Sequence, residues 1–326
     1  MDLEKGDKGH HCHFRHNEPL PFKEKGIIGI GGFGQVDRVL SLLSFKEYAR
    51  KRVPRSTLFS GRRTEDVKRS IAEIEVLKRL KHRHVVEFVG SYTDPKYMGL
   101  IMSPVADMDL CTYLAQFDGS RHRELRSFFG CLARGLEFLH GQSIRHKDTK
   151  PSNILVQGGN VLFTDFGLAL DFSDAEGSTT VSMVNGMTPR YCSPEVANQE
   201  SRNTSSDIWS LGVVFLEMTT VLKGQAVGHV YEFLSKHGSL QGHVRTNTEG
   251  LRELVAELQK MNNPSDNVTL RWIQDMLMIQ QHLRPTASAL ISSITAAGES
   301  GTGGFCGICC VLPDDVIDDL DDLEIA

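Results

Sequence analysis

Hydrophobic and polar positions change rhythm along the chain. From Pro21 to about Pro54, including GIIGIGGFGQVDRVLSLLSFKEYARKRV, apolar or β-branched residues alternate with glycine and polar ones. That is the period of half-buried strands, and it predicts three short antiparallel strands with a glycine turn joining the first two. Between Thr64 and Leu80 the spacing becomes three or four, at Val67, Ile71, Ile74, Leu77 and Leu80. This predicts a helix with Thr64 as N-cap. A second strand pair follows, VVEFVGSY and MGLIM, and beyond Asp109 the spacing is mostly helical, as in LCTYL and ELRSFFGCLARGLEFLH. The run IWSLGVVFLEM is shorter than the ~20 apolar residues a bilayer requires and reads as a buried core helix. Strands first and helices later predict an α+β chain with a small β-rich lobe and a larger helical one.

Composition narrows this picture. A chain of 326 residues, 40% hydrophobic, can bury a substantial core, as one large bilobal domain or two smaller ones. The net charge of −5 is concentrated in DDVIDDLDDLEIA at the C-terminus, which holds seven acids; the body carries 36 basic and 34 acidic residues. No nucleic-acid-binding surface is indicated. The N-terminal stretch KGDKGHHCHFRHNEPLP lacks the apolar segment of a signal peptide. Seven cysteines, scattered or clustered near the C-terminus, do not form a secreted disulfide framework. A reduced, cytosolic or nuclear compartment is therefore expected, and the sequons at Asn203 and Asn267 are read as coincidental. Residues 1–21 form a polar, histidine-rich extension expected to be poorly ordered, and residues 297–326 a Gly/Ser linker, cysteine cluster and acidic tail.

Candidate chemistry begins at Gly29, Gly31 and Gly34, which have GxGxxG spacing. Backbone without Cβ atoms can approach phosphate oxygens and offer N–H donors. Dinucleotide-binding proteins share that spacing, but Val36 is followed by a predicted strand and not by a helix. Lys51 stands at the end of the third strand, although KEYARKR offers several lysines and arginines. Glu73 falls at the edge of the apolar helix face, where a carboxylate turned toward a core needs a partner. A Lys51–Glu73 pair could hold nucleotide phosphates; Glu75, on the opposite edge, is the competing candidate.

RHKDTKPSNIL, starting at Arg145, and VLFTDFGLA after it resemble the catalytic core of eukaryotic-type protein kinases. The resemblance covers residues 22–296, with an N-lobe of about 22–102 and a C-lobe of about 106–296. It implies the bilobal kinase fold: a small antiparallel sheet with one main helix, and a larger α-helical lobe. Motifs occur in the family's order: the glycine loop, Lys51, Glu73, His146–Asn153, Asp165-Phe166-Gly167, Ser193-Pro194-Glu195, Asp207–Gly212 and Arg284. The resemblance implies Asp148 as catalytic base, Lys150 near the transferring phosphate, and Asn153 and Asp165 as ligands of Mg²⁺. For ATP it implies contacts from Ile28, Gly29, Gly31, Gly34, Val36, Ala49, Lys51, Glu73, Met102 at the gatekeeper position, Ser103 to Val105 at the hinge, and Leu155. Leu77, Phe166 and His146 would belong to a packed stack, Thr188 would bridge Asp148 and Lys150, and Glu195 would pair with Arg284. Lys150-Pro151-Ser152-Asn153 and the segment around Thr188 resemble the serine/threonine form, which implies protein substrates. A pseudokinase, acting as a nucleotide-binding or scaffolding module, is the rival reading. A small-molecule kinase of related fold is a third.

One departure is Lys147, where the family usually has arginine. A lysine grips a phosphate as a single charge and lacks arginine's bidentate fork. Altered regulation is expected, with the chemical groups intact. The activation segment also holds Ser173, and Ser178, Thr179, Thr180 and Ser182 are its candidate phosphosites, against the alternative of a merely solvated loop. At the ends, His10, His11, Cys12, His13 and His16 could bind a transition metal but lack a second defined ligand pair. Cys306, Cys309 and Cys310 could carry reversible acyl chains, bind metal or be redox-active; the neighbouring acids oppose docking on anionic lipid. Ile317, Leu320 and Leu323 could form a short helix for a tail-binding partner or the kinase itself, against a solvated tail.

Overall fold

The computed structural model describes residues 10–31, 34–55, 64–172, 188–299 and 304–307. The chain divides into two compact units, one running to Asp107 and including Thr164–Ala169, the other comprising Met108–Phe163 and the chain from Leu170.

The first unit is built on a six-stranded sheet in the order β1-β5-β6-β4-β3-β2. Its strands are β1 (His11–His13), β2 (Phe22–Gly31), β3 (Gly34–Ser41), β4 (Glu47–Pro54), β5 (Glu87–Thr93) and β6 (Tyr97–Ser103), with helix α1 (Thr64–Leu77) inserted after β4. The antiparallel register sets Gly29 opposite Val36, Val36 opposite Lys51 and Ala49 opposite Met102. Gly34, at φ +154°, opens β3 where a Cβ would overlap the Arg52 carbonyl oxygen, so the turn requires glycine. In α1, Glu73, Ile74, Val76 and Leu77 are buried, and Leu80 is buried just beyond the helix. Ile71 departs from the expected apolar face and is 50% exposed. Together with Ile74, Met98, His11 and His13 it lines a surface cavity of about 460 Å³.

Within the N-terminal stretch His11–His13 form a strand, contrary to the sequence expectation of poor order. β1 pairs in parallel with β5, His11 opposite Ser91 and His13 opposite Thr93. The Phe14 N–H donates to Thr93 O at 2.8 Å, and His11 Nδ1 lies 2.8 Å from Ser91 Oγ. Phe14 then packs edge-on against Tyr92 in a core with Phe22, Val39, Tyr48 and Ile101. An edge strand draws its stability from backbone pairing, so a polar segment with one aromatic anchor suffices. Close by, Arg50 is buried and bonded to Asp37 at 3.1 Å and Glu24 at 2.5 Å.

The second unit is mostly helical. It contains β7 (Met108–Asp109), α2 (Leu110–Ala115), α3 (His122–Gly141), β8 (Ile144–Arg145), β9 (Ile154–Gln157), β10 (Asn160–Phe163), β11 (Leu170–Asp171), α4 (Pro194–Ala197), α5 (Ser205–Leu222), α6 (Gly228–Leu234), α7 (Thr248–Lys260), α8 (Asn267–Met276) and α9 (Ala287–Glu299). Every residue of α5 except Ser206 is buried, as the continuous apolar run predicted. Phe129 of α3 packs on Phe215 of α5 at a ring separation of 4.6 Å. Two small sheets, β10-β9-β7 and β11-β8, flank the loop that carries Asp148. No helix among the described residues is long and apolar enough to cross a membrane.

Candidate active site

In the first unit the strand register places Lys51, half-buried, on β4 and the helix places Glu73, buried, on α1. Lys51 Nζ donates to both Glu73 oxygens, at 2.7 and 2.9 Å, and to Asp165 Oδ1 at 3.1 Å. Burial works against the ammonium, but Glu73 and Asp165 outweigh it and lift the Lys51 pKa above the usual lysine range. Asp165 sits in the left-handed region at φ 62° and leads into a short turn whose Phe166 is buried, as is Leu77. A Cβ on Gly167 would lie 3.5 Å from Asp165 Oδ1 and 3.7 Å from Glu73 Oε2, so the DFG glycine borders this carboxylate pair. Glu75 points outward and pairs with Lys78 at 3.9 Å. Gly29 and Gly31 lie in β2 and Val36 in β3; Ala49 and Met102 are buried partners across β4 and β6; Ser103 ends β6 and Val105 is half-buried beyond it. Ile28, in β2, is 46% exposed.

In the second unit the loop after β8 gathers the other candidates around one carboxylate. Asp148 Oδ1 accepts from Thr188 Oγ1 at 2.8 Å, and its Oδ2 accepts from Lys150 Nζ at 2.7 Å and Asn153 Nδ2 at 3.0 Å. Lys150 also donates to Thr188 Oγ1 at 3.0 Å, closing a three-residue ring. Leu155 follows on β9, opposite Leu162 of β10. His146 is buried, with its ring 5.5 Å from Phe163. Further along, Arg284 grips Glu195 through both guanidinium nitrogens, at 2.7 and 2.8 Å, with both side chains buried. Burial opposes the Glu195 charge, but the Arg284 fork prevails and holds that carboxyl below the usual range.

Two structural elements carry no role in the sequence reading. Asp207, buried at the start of α5, accepts the backbone N–H groups of His146 at 3.0 Å and Lys147 at 2.8 Å, and it contacts His140 Nε2 at 3.1 Å. It thereby holds the loop, including Lys147 at φ 67°. The other is Glu217, buried on α5, which accepts a hydrogen bond from Tyr191 at 3.1 Å and another from Tyr231. Burial pushes the Glu217 carboxyl up to about 7, while the two hydroxyls pull it down. The signal for Glu217 was an acid inside an apolar run, which must find donors when buried; Asp207 opens the Asp207–Gly212 motif and precedes the run.

Ser173, Ser178, Thr179, Thr180 and Ser182 lie outside the described residues, as do Cys309, Cys310 and the acidic tail; Cys306 is described and half-buried. Among the described residues no group of three or more His, Cys, Asp or Glu side chains could hold a metal ion, so the histidines of β1 and its surroundings form no such site.

This geometry defines a kinase-like arrangement, and sequence comparison identifies the family. Residues 22–294 match the protein kinase domain, and the chain belongs to that family. It is 31% identical over 208 residues to mitogen-activated protein kinase kinase kinase A of Dictyostelium discoideum, covering 63% of this chain and 22% of the relative. It is 28% identical over 230 residues to mouse (Mus musculus) 3-phosphoinositide-dependent protein kinase 1, covering 70% and 40%. Over 291 residues it is 28% identical to serine/threonine-protein kinase PLK4 of Danio rerio, covering 86% and 28%. The chain thus spans less than half the length of each of these relatives.

Proposed function

We propose that this chain is an active serine/threonine protein kinase, transferring the γ-phosphate of ATP to Ser and Thr hydroxyls of protein substrates. The observation that carries the reading is Asp148 braced by Thr188, Lys150 and Asn153. Phosphoryl transfer asks the protein for positioning and charge balance more than for covalent chemistry. A carboxylate held at both oxygens is positioned to take the proton of an attacking hydroxyl. The Lys150 ammonium beside it offsets charge near the transferred group, and Thr188 ties the substrate-side segment to the same carboxylate. Lys51, pinned by Glu73, would hold nucleotide phosphates, with the backbone of Gly29, Gly31 and Gly34 as further donors.

Asn153 and Asp165 would hold Mg²⁺. Both present oxygen, the donor a hard divalent cation takes, and the Asn153 amide nitrogen is committed to Asp148, leaving its oxygen as the available ligand. When bound, the cation neutralises phosphate charge. The Ser/Thr assignment rests on Lys150-Pro151-Ser152-Asn153 and Thr188, and relatives named as serine/threonine-protein kinases favour it.

The competing reading is a pseudokinase that binds nucleotide or partners without transfer. Purified full chain, given Mg·ATP and a generic basic protein substrate, should label it; Asp148→Asn should lower kcat by about 100-fold or more. No labelling by the wild type overturns the enzymatic reading. At the activation segment, alanine or phosphomimetic changes at Thr179, Thr180 or Ser182 should tune activity modestly, because Lys147 grips phosphate as a point charge. An all-or-none response would reject that regulation.

A further inference from the structure

The glycine- and serine-rich stretch after α9 reads as a linker leading away from the fold, yet the chain returns to the helical unit. Phe305 is fully buried. Its ring stands edge-on to Phe129 at 5.8 Å and to Trp272 at 5.3 Å, and the Arg126 guanidinium lies 5.2 Å from its centroid. Its carbonyl oxygen accepts the Gly130 N–H at 2.8 Å. Gly130 lies in the body of α3, a helix of 20 residues, where glycine is a poor helix former. The seated segment accounts for it: a Cβ there would lie 2.6 Å from Cys306 Sγ and 2.7 Å from Phe305 O.

We propose that Gly304–Gly307 is a self-docking latch. The slot formed by Arg126, Phe129 and Trp272 over the bare backbone of Gly130 is a recognition site for a phenylalanine-bearing segment, and the chain's own Phe305 is its resident occupant. Release of that occupant frees the C-terminal arm and uncovers the Cys306 thiol, which in the latched state is half-buried with Thr295 Oγ1 4.0 Å away. The attachment is concentrated in one ring and one backbone hydrogen bond between two glycines, so it opens as a unit. A short, glycine-rich tether keeps the occupant at high effective concentration and favours the latched state. The latch is independent of phosphotransfer.

Thiol labelling tests it, in the full chain with Cys309→Ser and Cys310→Ser so that Cys306 is read alone in its segment. Exposed Cys111 serves as the reference. In Phe305→Ala, maleimide should label Cys306 about tenfold faster or more, with Cys111 unchanged. Gly130→Ala, which keeps Phe305 but fills the seat, should accelerate Cys306 equally, and Phe305→Leu should fall between. The peptide Gly-Gly-Phe-Ser-Gly, competing for the slot, should accelerate Cys306 labelling saturably in Phe305→Leu with Gly130 intact, and Gly-Gly-Ala-Ser-Gly should not. Cooperative thermal unfolding of each variant establishes that it is folded; if Phe305→Ala is not, Gly130→Ala and Phe305→Leu decide the latch. Equal labelling in the parent and the folded variants overturns the latch. Faster labelling in the variants with no acceleration by the phenylalanine peptide overturns the recognition slot.

Discussion

Three donors converge on the Asp148 carboxylate, and Thr188 is the one supplied by a distant segment. Thr188→Ala removes that hydrogen bond and leaves Lys150 and Asn153 in place. A hydrogen bond to a charged group contributes about 1.5 kcal/mol or more, so kcat should fall by about tenfold or more. Thr188→Ser should recover most of it; steady-state kinetics showing both variants equal would remove Thr188 from the proposed bracing. Glu217 predicts a pH dependence. Its folded pKa, raised to about 7, lies above the ordinary carboxylate value, so the folded state holds the proton longer than the unfolded one. Stability is then full at low pH and declines as pH rises from the carboxylate range through about 7, by on the order of 3 kcal/mol for this group. Glu217→Gln should flatten that decline, measured as the urea midpoint from about pH 5 to about pH 8. Parallel curves for the two proteins would refute it. Two of Asp148's partners, Lys150 and Asn153, lie in the same short motif, whereas Tyr191 and Tyr231 lie 26 and 14 positions from Glu217, which is why the motif pattern marked Asp148 but gave Glu217 no role.

Elements in the second unit are joined by buried charge as well as by apolar packing. Arg284, just before α9, reaches Glu195 in α4 and accepts no solvent screening, its side chain being 0% exposed. Arg284→Ala would leave the Glu195 carboxylate buried and unpaired, at a cost of about 3 kcal/mol or more. Lysine there should recover part of the loss, because one ammonium cannot reproduce the bidentate fork. Since Arg284 holds the Glu195 pKa below the usual carboxyl range, its contribution is present at neutral pH and disappears as pH falls through that depressed value. The gap between wild type and Arg284→Ala in denaturant unfolding should therefore shrink in acid; a constant gap would contradict the ion pair. The alternating and helical patterns located β2 to β6, α1 and α5 directly. They missed β1, because an edge strand of three residues carries no period long enough to read.

At the scale of the whole chain, the family match ends at residue 294 and begins at 22, yet packed residues lie beyond both limits. Phe14 is 5% exposed and Phe305 0% exposed. A fragment limited to residues 22–296 would lose both rings and leave their neighbours facing cavities or water, which for a buried phenylalanine costs about 3 kcal/mol each. The fragment should unfold at a clearly lower temperature than the full chain by calorimetry, with the β-sheet unit and the helical unit each destabilised. An unchanged midpoint would show that the ends add nothing.

Local sequence by itself determined the strand and helix order, the buried helix α5, and the identities of the residues that meet at Lys51 and Asp148, because each lies in a short motif or a sustained period. Tertiary structure alone decided that a polar N-terminal strand joins the sheet and that a lone phenylalanine after a glycine-rich linker becomes core. Those outcomes depend on partners far along the chain, such as Ser91, 80 positions from His11. A hydrogen-bonding edge or an aromatic slot exists only once the remainder has folded, so no local pattern can announce its occupant.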